Sequence, residues 1–289
     1  MAGPDVVVIA MGEMGSGIAR RLRERGARIR TSLKGRSAAS VARAQGAGAE
    51  SFDDDRALLD GADFMLSVVP PGEARALARR LAPALQAVAR KPVYVDCNAI
   101  APRTAQDVAA IIAPTGCRFA DCGIIGGPPK GEEAGPRLYV SGDAAQAVLL
   151  LARYGLDVRE LPGDAGVASA LKLSYAGFTK GVVALASEMI LGATQAGVEA
   201  ALKREIASSQ PQLLAWIRRR VPEMYPKSYR WIAEMEEISA YLDGVPGGGE
   251  IYEGMARLYE ELAEAAKRRG GQGNPIDALQ AFLGPGKPG

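Results

Sequence analysis

The sequence predicts an α/β chain, with an N-terminal doubly wound, Rossmann-like sheet followed by an all-α domain. Three observations carry this. Residues 5–10, DVVVIA, form a Val-rich apolar run followed at once by the glycine turn MGEMGSG and a helical pattern. Strand and helix patterns then alternate as far as residue 162. From Gly166 that rhythm stops, and residues 167–198 form a long, nearly uncharged helical stretch. The expected domains are 1–162 and 163–289.

Each element has its own signal. IARRLRERG places Ile18, Ala19 and Leu22 on one helix face, with Gly26 as the stop. ARIRTSL (27–33) reads as the second strand. ADFMLSVVPP (62–71) is a strand ending in a Pro-Pro turn, and a helix follows over 72–85. PVYVDCNAIAP (92–102) is a strand running into a loop, and RTAQDVAAII a helix. CRFADCGIIGGPPKG (117–131) is a strand turning into a glycine loop, and 137–142 and 158–163 are the last strands. The second half reads as helices over 199–209, 210–220, 228–242 and 251–269, with GVPGGG (244–249) as a connection. The tail from Gly270 reads as surface material or an arm on a partner, with one short turn.

Composition narrows the chemistry. The 289 residues are 48% hydrophobic and 24% charged, with a formal net charge of only +2, so no nucleic-acid track is expected. The run Arg218–Arg219–Arg220 reads as a solvated helix face. Three cysteines without CxxC spacing argue against a disulfide scaffold or a zinc knuckle, and no metal site is expected. The chain contains no histidine, so acid/base work falls to Lys, Asp, Glu, Tyr or Cys. The opening MAGPDVVVIAMGEMG lacks the basic lead and cleavage pattern of a signal peptide, and Glu188 and Gln195 interrupt the apolar stretch at 182–201. The expected compartment is a reducing cytoplasm, without a membrane partner.

The glycine fingerprint is nearly complete: Ala10 stands in its first place, Gly12 in its second and Gly15 in its third. Gly12 allows backbone to approach a pyrophosphate, and the helix start offers free N–H groups to the anion. Met11, Glu13 and Met14 complete the turn. The end of the second strand offers Thr31, Ser32, Lys34, Arg36 and Ser37 and no acid. A carboxylate there would hold a ribose diol; hydroxyls and cations receive a 2′-phosphate, which favours NADP over NAD. Val69, Pro70 and Asn98 are expected at the carboxyl edge of the sheet, beside the cofactor.

These strings resemble the β-hydroxyacid dehydrogenase and 6-phosphogluconate dehydrogenase-like superfamily, in particular its branch with a short helical C-terminal domain of mostly unassigned function. IAMGEMGSGIARRL resembles the family's opening fingerprint. DCNAIAPRTA (96–105) resembles its segment near the nicotinamide and substrate carboxylate. FADCGIIGGPPKG resembles its substrate loop, which reads Asp-Ala-Pro-Val-Ser-Gly-Gly: Asp121, Gly126 and Gly127 match, whereas Ile125 stands where relatives carry serine. GDAGVASALKL places the family's catalytic lysine at Lys172, with Tyr175 and Ala176 where a partner asparagine is expected. RWIAEMEEI resembles a substrate-facing helix.

The resemblance implies an NAD(P)-dependent dehydrogenase or reductase acting on a small hydroxyacid-like or carbonyl substrate. Lys172, Tyr175 and Asn98 are then the catalytic candidates, and Asp121, Ile125, Gly126, Gly127 and Lys172 the substrate-binding ones. A lysine within so apolar a run can have its pKa lowered enough to manage a hydroxyl proton. Lys180, eight residues on, lies about 80° round the helix and reads as a surface or rim group. Asn98, Gly126, Gly127, Lys130 or the 228–242 helix are candidates to replace the missing serine and asparagine. Those two losses keep two alternatives open: an imine reductase on the same scaffold, and a non-catalytic NADPH-binding protein. The long apolar helix is expected to be central or to form a homodimer interface.

Overall fold

The computed structural model describes residues 3–129, 131, 135–268 and 273–284. Two compact units divide the chain, residues 1–173 and 174–289.

The first unit is built on an eight-stranded sheet. Its strands are β1 (Asp5–Ile9), β2 (Arg28–Thr31), β3 (Glu50–Ser51), β4 (Phe64–Ser67), β5 (Val93–Asp96), β6 (Phe119–Ile125), β7 (Arg137–Ser141) and β8 (Asp157–Glu160), in the order β3-β2-β1-β4-β5-β6-β7-β8. Strands β1 to β6 are mutually parallel, so the order reverses between β1 and β4, the position at which open sheets take their ligands. β6 and β7 pair antiparallel, with Ile125 opposite Arg137. The linking segment, 126–136, is shorter than the dozen or so residues a parallel crossover needs. The strand rhythm alone carried no such information.

The sheet is covered on both faces, and alternate residues show which. Val6, Val8, Val95, Cys122 and Val140 pack with Ile18 and Leu22 of α1 (Glu13–Glu24). Val7, Ile9, Met65 and Tyr94 pack with Leu77 and Leu81 of α4 (Ala74–Ala87) and Val108 of α5 (Pro102–Ile112). α1 carries Glu13 in its first turn and Arg21 and Arg23 in its last, as its dipole favours. Between β2 and β4 lie two short helices that hydrophobic periodicity did not reveal. They are α2 (Ala38–Gly46), capped by Ser37, and α3 (Asp55–Leu59), capped by Asp54. Their cores are only Ala44 and the pair Leu58 and Leu59, too little apolar surface to make a period. A short α6 (Ala145–Val148) follows β7.

α7 (Val167–Gln195) begins in the first unit and ends in the second. The second unit continues with α8 (Glu199–Ser209), α9 (Pro211–Met224), α10 (Ser228–Tyr241), α11 (Gly248–Lys267) and α12 (Pro275–Leu283). α10 and α11 form its principal helix pair. The last helix corrects the expected loose tail: Asn274 caps it, and Ile276, Leu279, Phe282 and Leu283 are buried. Glycine and proline around this stretch masked a short helix whose apolar face belongs to the core; the residues flanking it, 269–272 and 285–289, lie outside the described set. Within the single chain, α7 is not covered on every side. Phe178 is 76% exposed, and Tyr175, Leu185 and Met189 are exposed too. By length and hydropathy α7 alone, among the described residues, reaches the range of a membrane span. Hydrogen bonds from its first turn into the sheet tie that end to a globular core.

Candidate active site

The glycine turn closes the carboxyl end of β1. Val68 N–H donates to Ile9 O and Ala10 N–H to Val68 O, which joins the ends of β1 and β4 at the switch point. A Cβ on Gly15 would lie 2.0 Å from Ala10 O, so α1 approaches the strand as only glycine permits. A Cβ on Gly12 would meet nothing within 4 Å. Open space beside backbone at the start of a three-turn helix suits a pyrophosphate, and the residues present fit a dinucleotide. Met11 is buried, Met14 half-buried and Glu13 exposed. Arg43 of α2 donates from Nε to Met11 O (3.0 Å) and bonds Ser40, bracing the turn. Nothing in the sequence marked Arg43, because its role depends on how α2 folds back.

The residues after β2 separate by role. Thr31 is fully buried and its hydroxyl donates to Val8 O (2.8 Å), so it serves the sheet. Ser32 is buried as well. Ser37 is committed to the cap of α2, its Oγ accepting from Ser40 N–H. Lys34 and Arg36 are exposed, and neither side chain has a hydrogen bond or ion pair among the described residues.

Asn98 lies on a polar floor at the ends of β4 and β5. Its Oδ1 accepts from Val69 N–H (2.7 Å), its Nδ2 donates to Ser67 Oγ (2.8 Å), and its own N–H donates to Asp96 Oδ1 (3.0 Å). The side chain is therefore locked in place, and it fixes Val69; Pro70 beyond it is exposed. Asp96 is wholly buried and its Oδ2 has no partner among the described residues. Burial pushes its pKa up to about 7, opposed by the Asn98 backbone N–H and reinforced by the charge of Asp121.

Asp121 pairs in register with Asp96 and is also fully buried. Its Oδ2 accepts from the N–H groups of Gly166 (2.9 Å) and Ser169 (2.8 Å), and its Oδ1 from the Ser169 hydroxyl (2.7 Å). Burial raises its pKa, and the Ser169 and Gly166 donors oppose that rise. Both oxygens are thus engaged in holding α7, a use that the substrate-loop motif did not reveal. Ser141 of β7 accepts from Ala168 N–H (3.1 Å). Two residues past Asp121, a Cβ on Gly123 would lie 2.5 Å from Ala168 O and 2.9 Å from Lys172 Cβ. Lys172 thus rests against the β6 backbone. Asn98 and Gly123 each stand two residues beyond the Asp96–Asp121 pair, at the carboxyl edge. The Lys172 side chain is half-buried, and its ammonium has no partner among the described residues. Ile125 is buried, and Gly126 and Gly127 are exposed in the following turn. Lys130 lies outside the described residues.

The remaining candidates lie in the second unit. Tyr175 is 45% exposed. Lys180 is not a free rim group: it pairs with Glu234 of α10, lies 5.0 Å from the Trp231 ring centroid, and its carbonyl accepts from Tyr259 OH (2.6 Å). Composition alone had made it resemble Lys172. Among the described residues no group of three or more His, Cys, Asp or Glu is placed to hold a metal ion.

Residues 5–152 match the NAD-binding domain of 6-phosphogluconate dehydrogenase, and residues 193–262 match a domain of unknown function, DUF1932. A 3-hydroxyisobutyrate dehydrogenase of Pseudomonas aeruginosa is 27% identical over 204 residues, which are 68% of this chain and 63% of that protein. Among solved structures, the conserved protein MTH1747, described as similar to 3-hydroxyacid dehydrogenases, is 29% identical with a TM-score of 0.71, over 91% of this chain and 98% of its own. An imine reductase of Myxococcus stipitatus, in complex with NADP+, shares the fold at 18% identity with a TM-score of 0.53, over 97% of this chain and 100% of its own. The fold and the family match thus define the class, that of NAD(P)-dependent dehydrogenases and reductases. More narrowly, the chain belongs to the β-hydroxyacid dehydrogenase and 6-phosphogluconate dehydrogenase-like superfamily, with an N-terminal NAD-binding domain and a C-terminal DUF1932 helical domain.

The Asp96 environment predicts a pH signature. Its folded pKa of about 7 exceeds its ordinary 3.8, so the native state retains a proton that the unfolded chain has lost. Stability from this group is therefore fully present below the ordinary value and is lost as pH rises through about 7. Asp96→Asn keeps an acceptor for Asn98 N–H and abolishes the ionisation. Urea unfolding should show the stability of Asp96→Asn relative to wild type rising between pH 4.5 and 7.5, by at most about 4 kcal/mol at ~1.4 kcal/mol per pK unit. A pH-independent difference would contradict it.

Proposed function

We propose that the chain is an NADP-dependent oxidoreductase that moves hydride between the nicotinamide and a hydroxyacid-like or carbonyl substrate. The observation that carries this reading is the seat of Lys172 on Gly123, at the same sheet edge as Asn98 and the glycine turn. The dinucleotide, when bound, supplies the hydride acceptor or donor. Gly12, Gly15 and the start of α1 would hold its pyrophosphate, and Lys34 and Arg36, exposed and unengaged, suit a 2′-phosphate. As the carbinol C–H leaves as hydride, the hydroxyl proton passes to the Lys172 amine; in reduction the Lys172 ammonium returns a proton to the developing alkoxide. Asn98 holds Val69 and the β4 end in place, and Ile125 makes its part of the pocket apolar.

That apolar surface favours a second reading, reduction of a C=N bond, because no serine stands at Ile125 to orient a carboxylate. A panel of hydroxyacids, ketones and cyclic imines, followed at the absorbance of reduced nicotinamide, separates the two. On whichever substrate turns over, Lys172→Ala should lower kcat by about 100-fold or more, the scale of general acid–base catalysis. Its NADPH Kd should stay near wild type, and undiminished turnover would remove Lys172 from the mechanism. Arg36→Ala should weaken NADPH by about tenfold, ~1.4 kcal/mol, and leave NADH unchanged; equal loss for both would refute the phosphate role.

The exposed face of α7 supports a homodimer. Tyr175, Phe178, Val182, Leu185 and Met189 follow a 3-4-3-4 spacing, and Val182 is the half-buried member. That is the period of a helix-pairing seam. A second copy related by a two-fold axis would cover the stripe with the same stripe. Light scattering should find a dimer at micromolar concentration, converted to monomer by Phe178→Glu; a monomeric wild-type chain would refute this.

A further inference from the structure

We propose that Asp121 is a positioning residue that aims Lys172 by capping the first turn of α7. The inference deepens the reading of Lys172 as the proton-handling group and rests on it for its functional meaning. A helix leaves its first N–H groups without intrahelical partners. Here Asp121 takes those of Gly166 and Ser169 and also the Ser169 hydroxyl, while Ser141 takes that of Ala168. Ala168 and Ser169 lie four and three residues before Lys172, so their faces and that of Lys172 lie along one side of the helix. Fixing them fixes the Lys172 Cβ.

Gly123 removes the remaining freedom. Ala168 O and Lys172 Cβ stand where its own Cβ would be, so α7 rests on the β6 backbone without slack. Asp121 and Gly123 face the same side of one strand, two residues apart. The first pulls the helix end down by three hydrogen bonds, and the second lets Lys172 come to rest there. Asp121 is fully buried with both oxygens engaged, which equips it for this work and leaves it no reach to substrate.

The experiment reads Lys172 directly and needs no substrate. The full-length protein is acetylated with an N-hydroxysuccinimide ester, and peptide mass spectrometry gives the rate at Lys172 relative to Lys91. Lys91 serves as reference because its ammonium donates to the Leu85 and Gln86 carbonyls. Asp121→Asn, which cannot satisfy three donors, should change the relative rate by about threefold or more, since a lost charge-assisted bond frees the helix end. Ser169→Ala should change it less, and Ser169→Thr, which keeps the hydroxyl, should restore the wild-type rate. Leu279→Ala, which weakens the α12 core instead, should leave it unchanged. A folded Asp121→Asn protein with wild-type Lys172 labelling overturns the proposal, as does an equal change in Leu279→Ala. If Asp121→Asn does not fold, an unchanged rate in Ser169→Ala overturns it. Turnover in Lys172→Ala is scored separately, so loss of the catalytic reading and loss of the positioning role are distinguishable.

Discussion

The Asp121 carboxylate is the interaction on which the candidate site depends. It sits on β6 with no exposed surface and gathers three donors from the start of α7. Removing a carboxylate from water costs several kcal/mol. Hydrogen bonds to a charged acceptor return about 1.5–3 kcal/mol each, so three of them are enough to offset the cost. The helix N-terminus adds its own favourable field. One residue thus joins a strand of the nucleotide-binding sheet to the helix that carries Lys172.

Two absent side chains complete the arrangement. Gly15 lets α1 close against Ala10, and Gly123 lets α7 close against β6. In both places a helix is brought against the carboxyl edge of the sheet more tightly than any Cβ allows. The first contact brings the start of α1 to that edge, and the second brings Lys172 to it. Between them lies the polar floor of Ser67, Asn98 and Asp96, whose hydrogen bonds hold the β4 and β5 ends level. Backbone geometry thus fixes where the Lys172 side chain leaves the helix.

Much of this was legible in the sequence, and the failures share a cause. Strand, glycine turn and helix at 5–24 and the long helix from 167 rest on local patterns, and local patterns survive without a structure. Thr31 and Ser37 were chosen for their hydroxyls, yet one hydroxyl serves Val8 O and the other caps α2. Residue type does not show whether a donor is already spent. Asp121 was recognised from its motif, but its partners lie more than forty residues on, at 166 and 169. Arg43 reaches Met11 only through the fold of α2. The C-terminal helix escaped because its apolar positions sit among glycines and prolines, and only its packing reveals them as core.

Lys180 shows how the same reasoning separates two like residues. Both lysines lie on α7, in apolar surroundings, two helical turns apart. Lys180 has its charge answered by Glu234 and by the Trp231 ring, and its carbonyl by Tyr259. Its amine is therefore part of the packing of α7 on α10 and α11, and moving its proton would break that packing. Lys172 has no such partner among the described residues and sits on a bare strand backbone. An amine free of a counter-ion can gain or lose a proton without dismantling its support. That difference in partners, which the apolar run itself does not encode, is what separates the two lysines and suits Lys172, not Lys180, to the proposed role.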